Sequence, residues 1–151
     1  MSILHRSRRP WLIGGVVLLA DQLSKHLLLA SFPPGHSLPL IPGLLHLTYV
    51  QNTGAAFGLL KGQQVLFIGL ALLVLGWIAW ELLTKPSVPP LMAWGCGLIL
   101  GGAVGNLIDR LRWGYVVDFI DVRIWPVFNL GDSAITIGVG LLIWQSLRRH
   151  R

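Results

Sequence analysis

Four long apolar runs divide the chain, with shorter polar or proline-rich stretches between them. The runs cover residues 11–29, 65–83, 91–108 and 130–147. About 20 apolar residues in a helix cross a hydrocarbon layer about 30 Å thick. The fourth run approaches that length only if it begins at Leu130, which places Asp132 inside it. The pattern predicts an all-α membrane protein with four transmembrane helices.

The first run has features of a retained helix rather than of a secretion signal. It carries Asp21 and Lys25 within its apolar stretch, and no small-residue cleavage site follows before Pro33. Asp21 and Lys25 are four residues apart, so they share one face of a helix and can form an ion pair there. We interpret both as structural polar residues.

Two longer connectors, residues 31–64 and 110–129, join the apolar runs. The first is rich in proline and glycine, so it is not a helix. Residues 46–50 have the composition of a strand, and residues 52–54 have that of a turn. These features predict a small extracytoplasmic β element. No internal repeat is evident, and residues 1–151 are interpreted as one integral membrane domain.

Composition supports a membrane protein and excludes several other classes. Hydrophobic residues make up 54% of the chain and charged residues 12%, with a net charge of +6. A soluble fold of this size would need more charged residues than this chain has to cover its surface. Basic clusters flank the apolar runs, and this placement is typical of a topology signal. We therefore expect no nucleic-acid partner.

The distribution of basic residues predicts that both termini are cytoplasmic and that both long connectors lie outside. Basic residues are more frequent on the side assigned to the cytoplasm. That side holds Arg6, Arg8, Arg9, Lys85, Arg148, Arg149 and Arg151, whereas the other side holds Lys61, Arg110, Arg112 and Arg123.

Cysteine and histidine usage argues against metal chemistry and disulfides. The single cysteine, Cys96, lies within an apolar run, where a thiol is usually inert packing. The five histidines are scattered and show no ligand spacing. We expect no metal and no other cofactor.

Two aspartates, Asp118 and Asp132, are the candidates for catalysis. Asp118 follows an extended apolar stretch, and Asp132 opens the fourth helix fourteen residues later. Two adjacent carboxylates cannot both ionise easily, so they share a proton. One can then accept a proton from water while the other donates one to a scissile carbonyl. Spacing alone also permits a proton relay or an ion path.

Five ordered motifs make the chain resemble the lipoprotein signal peptidases, also called signal peptidase type II. The motifs are DQLSK at 21–25, NTGAAFG at 52–58, GGAVGNLIDR at 101–110, GYVVDF at 114–119 and FNLGD at 128–132. Two departures from the family pattern are visible. Gly131 stands where alanine is usual, and the stretch between the two aspartates is shorter.

The resemblance implies an aspartic endopeptidase of the bacterial cytoplasmic (inner) membrane with its active site near the outer face. Family members cut the signal peptide from a prolipoprotein just before a diacylglyceryl-modified cysteine, and globomycin-type compounds inhibit them. The resemblance assigns catalysis to Asp118 and Asp132. It implies a supporting, substrate-binding set of Asn52, Asn106, Arg110 and Asn129, and a structural set of Asp21, Lys25, Gly54 and Asp109. We expect Asp109 to pair with Arg110 or Arg112 and hold the connector.

Two other functions fit part of the pattern. An intramembrane protease of the presenilin type requires Gly-x-Gly-Asp, but here Asn129 occupies the first glycine position. A small proton-coupled transporter could use Asp21, Lys25 and the two aspartates as a relay. The lack of an internal repeat argues against the transporter.

Overall fold

A computed structural model describes residues 8–55, 59–85 and 87–149 as four long helices and a three-stranded sheet. In chain order the elements are α1 Arg9–Ser31, β1 Ser37–Ile41, β2 Leu45–Asn52, α2 Gln64–Thr84, α3 Pro90–Trp113, β3 Val116–Asp121 and α4 Leu130–Arg149. All four helices are long and apolar enough to cross a membrane. The four predicted helices and the small predicted sheet are therefore confirmed.

The helix ends follow from local sequence signals. Proline stands at the start of α1 and of α3, where its missing N–H group removes no helical hydrogen bond. Helix α3 ends at Gly114, whose positive φ of 75° closes the last turn. The connector predicted to begin at Arg110 begins later, because α3 continues to Trp113. Arg110 and Arg112 are therefore helical rather than part of a connector.

Helix α3 is the centre of the bundle because glycines let α1 and α4 approach it closely. A Cβ atom added at Gly101 would lie 2.5 Å from the carbonyl oxygen of Gly14 in α1. One added at Gly95 would lie 2.8 Å from the Leu142 side chain in α4. Small residues at such contacts stabilise helix pairs in lipid. The glycines of α3 therefore form the face on which α1 and α4 pack.

Helix α2 is attached less closely than the other helices. It packs against α3 mainly through Ile78 and Leu82, in its second half. Its first half is open, and Val65 has 85% of its surface exposed. An open cleft therefore runs beside α3, bounded by α2 and α4.

The sheet packs on the end of α1 and carries one of the candidate aspartates. Its strand order is β1-β2-β3 with antiparallel pairing throughout. Strand β3 is almost entirely buried, and Val117 and Phe119 pack with Leu28 of α1 and Tyr49 of β2. The register pairs Val50 with Asp118. Burial of β3 thus fixes Asp118 against the helices.

Tryptophans mark the two ends of the helical bundle. Each is between 44% and 61% exposed, as is usual for side chains at a membrane interface. The end away from the sheet carries Trp11, Trp77, Trp80, Trp94 and Trp144, and the sheet end carries Trp113 and Trp125. The two groups indicate where the hydrocarbon layer begins and ends.

Candidate active site

Asp118 and Asp132 approach each other because the chain folds back after β3. Ile120 pairs with Phe128 in an isolated antiparallel bridge, and the Phe128 carbonyl accepts hydrogen bonds from Phe119 and Ile120. Asn129 and the first turn of α4 follow at once. This reversal brings Asp132 back to the depth of Asp118 within fourteen residues.

Two amide side chains donate hydrogen bonds to Asp118. Nδ2 of Asn52 lies 2.9 Å from Oδ2, and Nδ2 of Asn129 lies 2.7 Å from Oδ1. Each amide is turned this way because its own oxygen already accepts a backbone N–H. Oδ1 of Asn52 accepts from Gly54 and Oδ1 of Asn129 accepts from Asp132, both at 2.9 Å. The donors are thus fixed before any substrate binds.

Asn106 is the corresponding donor for Asp132. Its Nδ2 lies 2.8 Å from Oδ1 of Asp132, and the Asn129 backbone N–H reaches Oδ2 at 3.3 Å. Oδ1 of Asn106 accepts from Lys25 Nζ at 2.9 Å and from Asn129 Nδ2 at 3.1 Å. Lys25 therefore determines which end of the Asn106 amide faces the carboxylate.

Lys25 lies at the centre of a buried ionic cluster beneath the two aspartates. Its Nζ is 2.8 Å from Oδ2 of Asp21 and 2.9 Å from Oδ2 of Asp109. Asp21 also accepts the Gly131 N–H at 2.8 Å, and Asp109 accepts the Val117 N–H at 3.1 Å. Buried charges of this kind require partners on every side. The cluster joins α1, α3, β3 and the start of α4.

The expected partner of Asp109 was wrong. It pairs with Lys25 of α1 and not with Arg110 or Arg112, because α3 continues past residue 108. On that extended helix Asp109 lies one turn beyond Gly105, on the face that packs against α1. The ion pair predicted between Asp21 and Lys25 is present.

Arg110 contacts the segment that follows β2. Its guanidinium donates to the Gly54 carbonyl and to Oε1 of Gln64, both at 3.1 Å, and lies 4.4 Å from the centre of the Phe67 ring. The motif at 52–58 is described only up to residue 55, since its last three residues lie outside the described part of the chain. Gly54 is crowded, because an added Cβ would collide with the Leu59 carbonyl oxygen.

Three further polar or aromatic residues at the site were not singled out from the sequence. Gln22 donates to Oδ1 of Asp109 at 3.0 Å and to the Gly105 carbonyl at 3.2 Å. Gln22 lies inside the motif at 21–25, so the sequence motif could have identified it. Gln64 and Phe67 contact Arg110 from α2, and no motif of the sequence includes them.

Asp121 is close to Asp118 in sequence but takes no part in the pair. Thr48 donates to its Oδ2 at 2.8 Å, and Arg123 pairs with the same oxygen at 2.9 Å. Burial acts to raise the pKa of Asp121, but the bonds from Thr48 and Arg123 outweigh it and hold that pKa below its usual range. Asp121 is thus an ionised group of the sheet.

The paired aspartates open onto one cavity of about 290 Å³. Its polar wall includes Asn52, Asn106 and Arg110, and its apolar wall includes Val116 and Ile135. Burial first, and the nearby charge of Asp132 second, raise the pKa of Asp118 to about 7. The pair can therefore hold one proton near neutral pH. Among the described residues, no group of three or more His, Cys, Asp or Glu side chains could bind a metal.

Comparison with known families identifies the group to which this arrangement belongs. Residues 13–148 match the family model described as signal peptidase (SPase) II. The chain belongs to the signal peptidase II family. It is therefore a peptidase, and the match decides against the presenilin-type protease and the transporter.

Curated relatives are similar to this chain over most of their length. A lipoprotein signal peptidase of Moorella thermoacetica is 52% identical over 139 residues, which is 91% of this chain and 93% of the relative. One from Syntrophomonas wolfei is 54% identical over 129 residues, or 85% of each chain.

Two solved structures share the fold of this chain. Both are described as bacterial membrane enzymes determined by the in meso method. The one at 2.3 Å resolution has a TM-score of 0.86 and 35% identity, covering 92% of this chain and 87% of that one. The one at 1.9 Å has a TM-score of 0.84 and 34% identity, covering 95% and 97%.

Proposed function

We propose that Asp118 and Asp132 are the catalytic pair of an aspartic endopeptidase that removes signal peptides from prolipoproteins. Membership of the signal peptidase II family supports the reaction, and its curated relatives are named lipoprotein signal peptidases. The observation that carries the residue assignment is the shared cavity. Both carboxylates line it, and three asparagines orient them through fixed donors.

The proposed mechanism uses a single proton shared by the pair. The ionised carboxylate takes a proton from a water molecule, whose oxygen attacks the scissile carbonyl carbon. The protonated carboxylic acid donates its proton to the carbonyl oxygen, which gives a neutral tetrahedral intermediate. Collapse of that intermediate breaks the C–N bond: the nitrogen takes the proton held by the pair, and one hydroxyl of the intermediate gives its proton to the other carboxylate as the new carboxylic acid forms. One proton is again shared when the products leave.

The cavity wall has groups suited to positioning a peptide beside the pair. The Asn52 and Asn106 amides and the Arg110 guanidinium are donors in a site with little water, where hydrogen bonds to a substrate backbone are strong. The Gly54 carbonyl lies beside Arg110 as an acceptor. We propose that these groups hold the substrate backbone while Val116 and Ile135 contact its side chains.

Cleavage should decline on the alkaline side because the shared proton is lost there. The pKa of Asp118 is raised to about 7, so above that pH the pair becomes doubly ionised and lacks its acid. We expect kcat/KM for a lipid-modified precursor to fall about tenfold for each pH unit well above 7. The measurement is the initial rate between pH 5 and pH 9. A rate that stays constant to pH 9 would show that no shared proton is needed.

We propose that the active site lies near the outer face of the bacterial cytoplasmic membrane, with both termini inside. The sheet and both aspartates lie at one end of the bundle, and Arg8, Arg9 and Arg148 lie at the other. A reporter active only in the cytoplasm, fused after Arg151, should therefore be active. A reporter active only outside should be silent at that position. The reverse pattern would contradict the orientation.

The proposed substrate carries a diacylglyceryl group on the cysteine that follows the cut. The aspartates lie beside apolar helices, where a soluble peptide has little reason to enter. Two acyl chains would hold the cysteine at this depth, because each buried CH₂ contributes about 0.8 kcal/mol. The open cleft beside α3 gives lipid and lipid-like inhibitors of the globomycin type a route to the cavity. We propose membrane lipid and such inhibitors as further ligands.

A further inference from the structure

A second cavity lies at the opposite end of the bundle from the aspartates. It has a volume of about 520 Å³ and opens between α2 and α4. Its walls are Trp77 and Glu81 of α2, Lys85, Met92 of α3, and Leu142, Gln145 and Ser146 of α4. We call the space that these residues line the distal cavity. No step of peptide hydrolysis uses it, since it is separated from the aspartates by most of the length of α4.

Glu81 gives the distal cavity a carboxylate that can bind a second cation besides Lys85. Of the six acids in the sequence, it is the one that lies at this end. Oε1 is paired with Lys85, whereas Oε2 has no donor among the described residues. The Lys85 side chain is 40% exposed, and such i,i+4 pairs are weak enough to exchange partners. The side chains of Gln145 and Ser146 also make no hydrogen bond within the described chain.

The distal cavity and the catalytic cavity are both lined by residues of α3 and α4. On α4, Ile135 lines the catalytic cavity, and Leu142 and Ser146 line the distal one. Intervals of seven and four residues place these three side chains on one face of the helix. On α3, Asn106 lines the catalytic cavity and Met92 lines the distal cavity. A rigid rod lying along this face would contact both cavities.

The substrate of a signal peptidase has the dimensions and charge for this cleft. A signal peptide has a basic N-terminal region, then 7–15 apolar residues, then the cleavage site. As a helix, the apolar part is about 10–22 Å long. The rise along α4 from Ile135 to Ser146 is about 16 Å. The basic region always lies at the far end from the scissile bond, so this match holds in either membrane orientation.

We propose that the distal cavity binds the basic N-terminal region of the signal peptide, with Glu81 as its acceptor. The apolar part of the signal peptide then lies along the cleft between α2 and α4, over α3. Its other end presents the scissile bond to Asp118 and Asp132. Glu81 would thus be a specificity residue that recognises substrate charge far from the reaction. This inference rests on the proposed function.

The test is a charge exchange between enzyme and substrate in one detergent, where membrane topology has no influence. Three lipid-modified precursors differ only in having two Lys, two Gln or two Glu in the N-terminal region. The wild-type KM should be about three- to fivefold lower for the Lys precursor than for the Gln precursor, as expected of a partly exposed charge pair. Glu81→Gln should remove this preference, and Glu81→Lys should make the Glu precursor the better substrate. The value of kcat should not depend on the N-terminal region.

The matched control is Arg148→Gln, which removes a charge at the same end. Arg148 stacks on Trp144 and does not line the distal cavity, so the variant should keep the wild-type preference. A Glu81→Gln enzyme that still prefers the Lys precursor would overturn the inference. So would a Glu81→Lys enzyme that is active and shows no reversal. An active Asp118→Asn variant with an intact charge preference would instead contradict only the catalytic assignment.

Discussion

Replacing either Asp118 or Asp132 by asparagine should reduce precursor cleavage by about 10³-fold or more. Asparagine keeps the size of the side chain and can still take part in hydrogen bonds, but it cannot accept or release the shared proton. The three orienting asparagines remain in place, so we expect each variant to accumulate in the membrane. The measurement is single-turnover cleavage of a purified lipid-modified precursor, followed by mass spectrometry of the new N-terminus.

Asp121→Asn is the matched control because it removes an acid only three residues from Asp118. Asp121 bonds to Thr48 and Arg123 on the sheet and does not line the catalytic cavity. This variant should keep most of the wild-type rate. If Asp121→Asn were inactive while Asp118→Asn cleaved normally, the catalytic assignment would be wrong by three residues.

The second large effect concerns the lipid on the substrate. A precursor without the diacylglyceryl group should be cleaved on the order of 10²-fold more slowly, or not at all, in kcat/KM. The acyl chains place the scissile bond at the depth of the aspartates. Without them, the bond would reach the aspartates only in rare encounters. The measurement is side-by-side digestion of the two precursors in one detergent.

The unmodified precursor is a sharp comparison because it keeps its apolar signal peptide. Both forms therefore enter the same micelles, and only the lipid differs between them. An Asp132→Asn enzyme in parallel excludes a contaminating protease. Equal cleavage of both precursors would show that the lipid is not recognised and would favour a general intramembrane peptidase.

Helices were the most predictable part of the fold because the membrane imposes their length. A run of about 20 apolar residues has few alternatives in lipid, where each backbone polar group needs an internal partner. The end of α3 was the exception. Asp109, Arg110 and Arg112 lowered the apolarity of its last turns, although Gly114 was the true stop. The charged last turn of this helix was therefore interpreted as part of a connector.

The position of the aspartates could not be derived from their spacing. Their approach depends on the bridge between Ile120 and Phe128, which is a pairing of two short segments with no strong pattern. The motif resemblance named the residues but gave no contacts. Asp109 shows the difference, because its partner Lys25 lies 84 positions earlier and is adjacent only once α1 packs on the glycines of α3.

The distance between the two tryptophans of α3 can be compared with the thickness of the membrane. Trp94 and Trp113 are nineteen residues apart, a rise of about 28 Å, which is close to a typical hydrocarbon layer of about 30 Å. Asn106 lies about 10 Å below Trp113 on this scale. In a thicker bilayer the protein must tilt less or thin the surrounding lipid, and in a thinner one it must tilt more. Either response moves Asp132 relative to a substrate held by its own acyl chains. Hydrophobic mismatch would therefore alter turnover without changing any residue of the site.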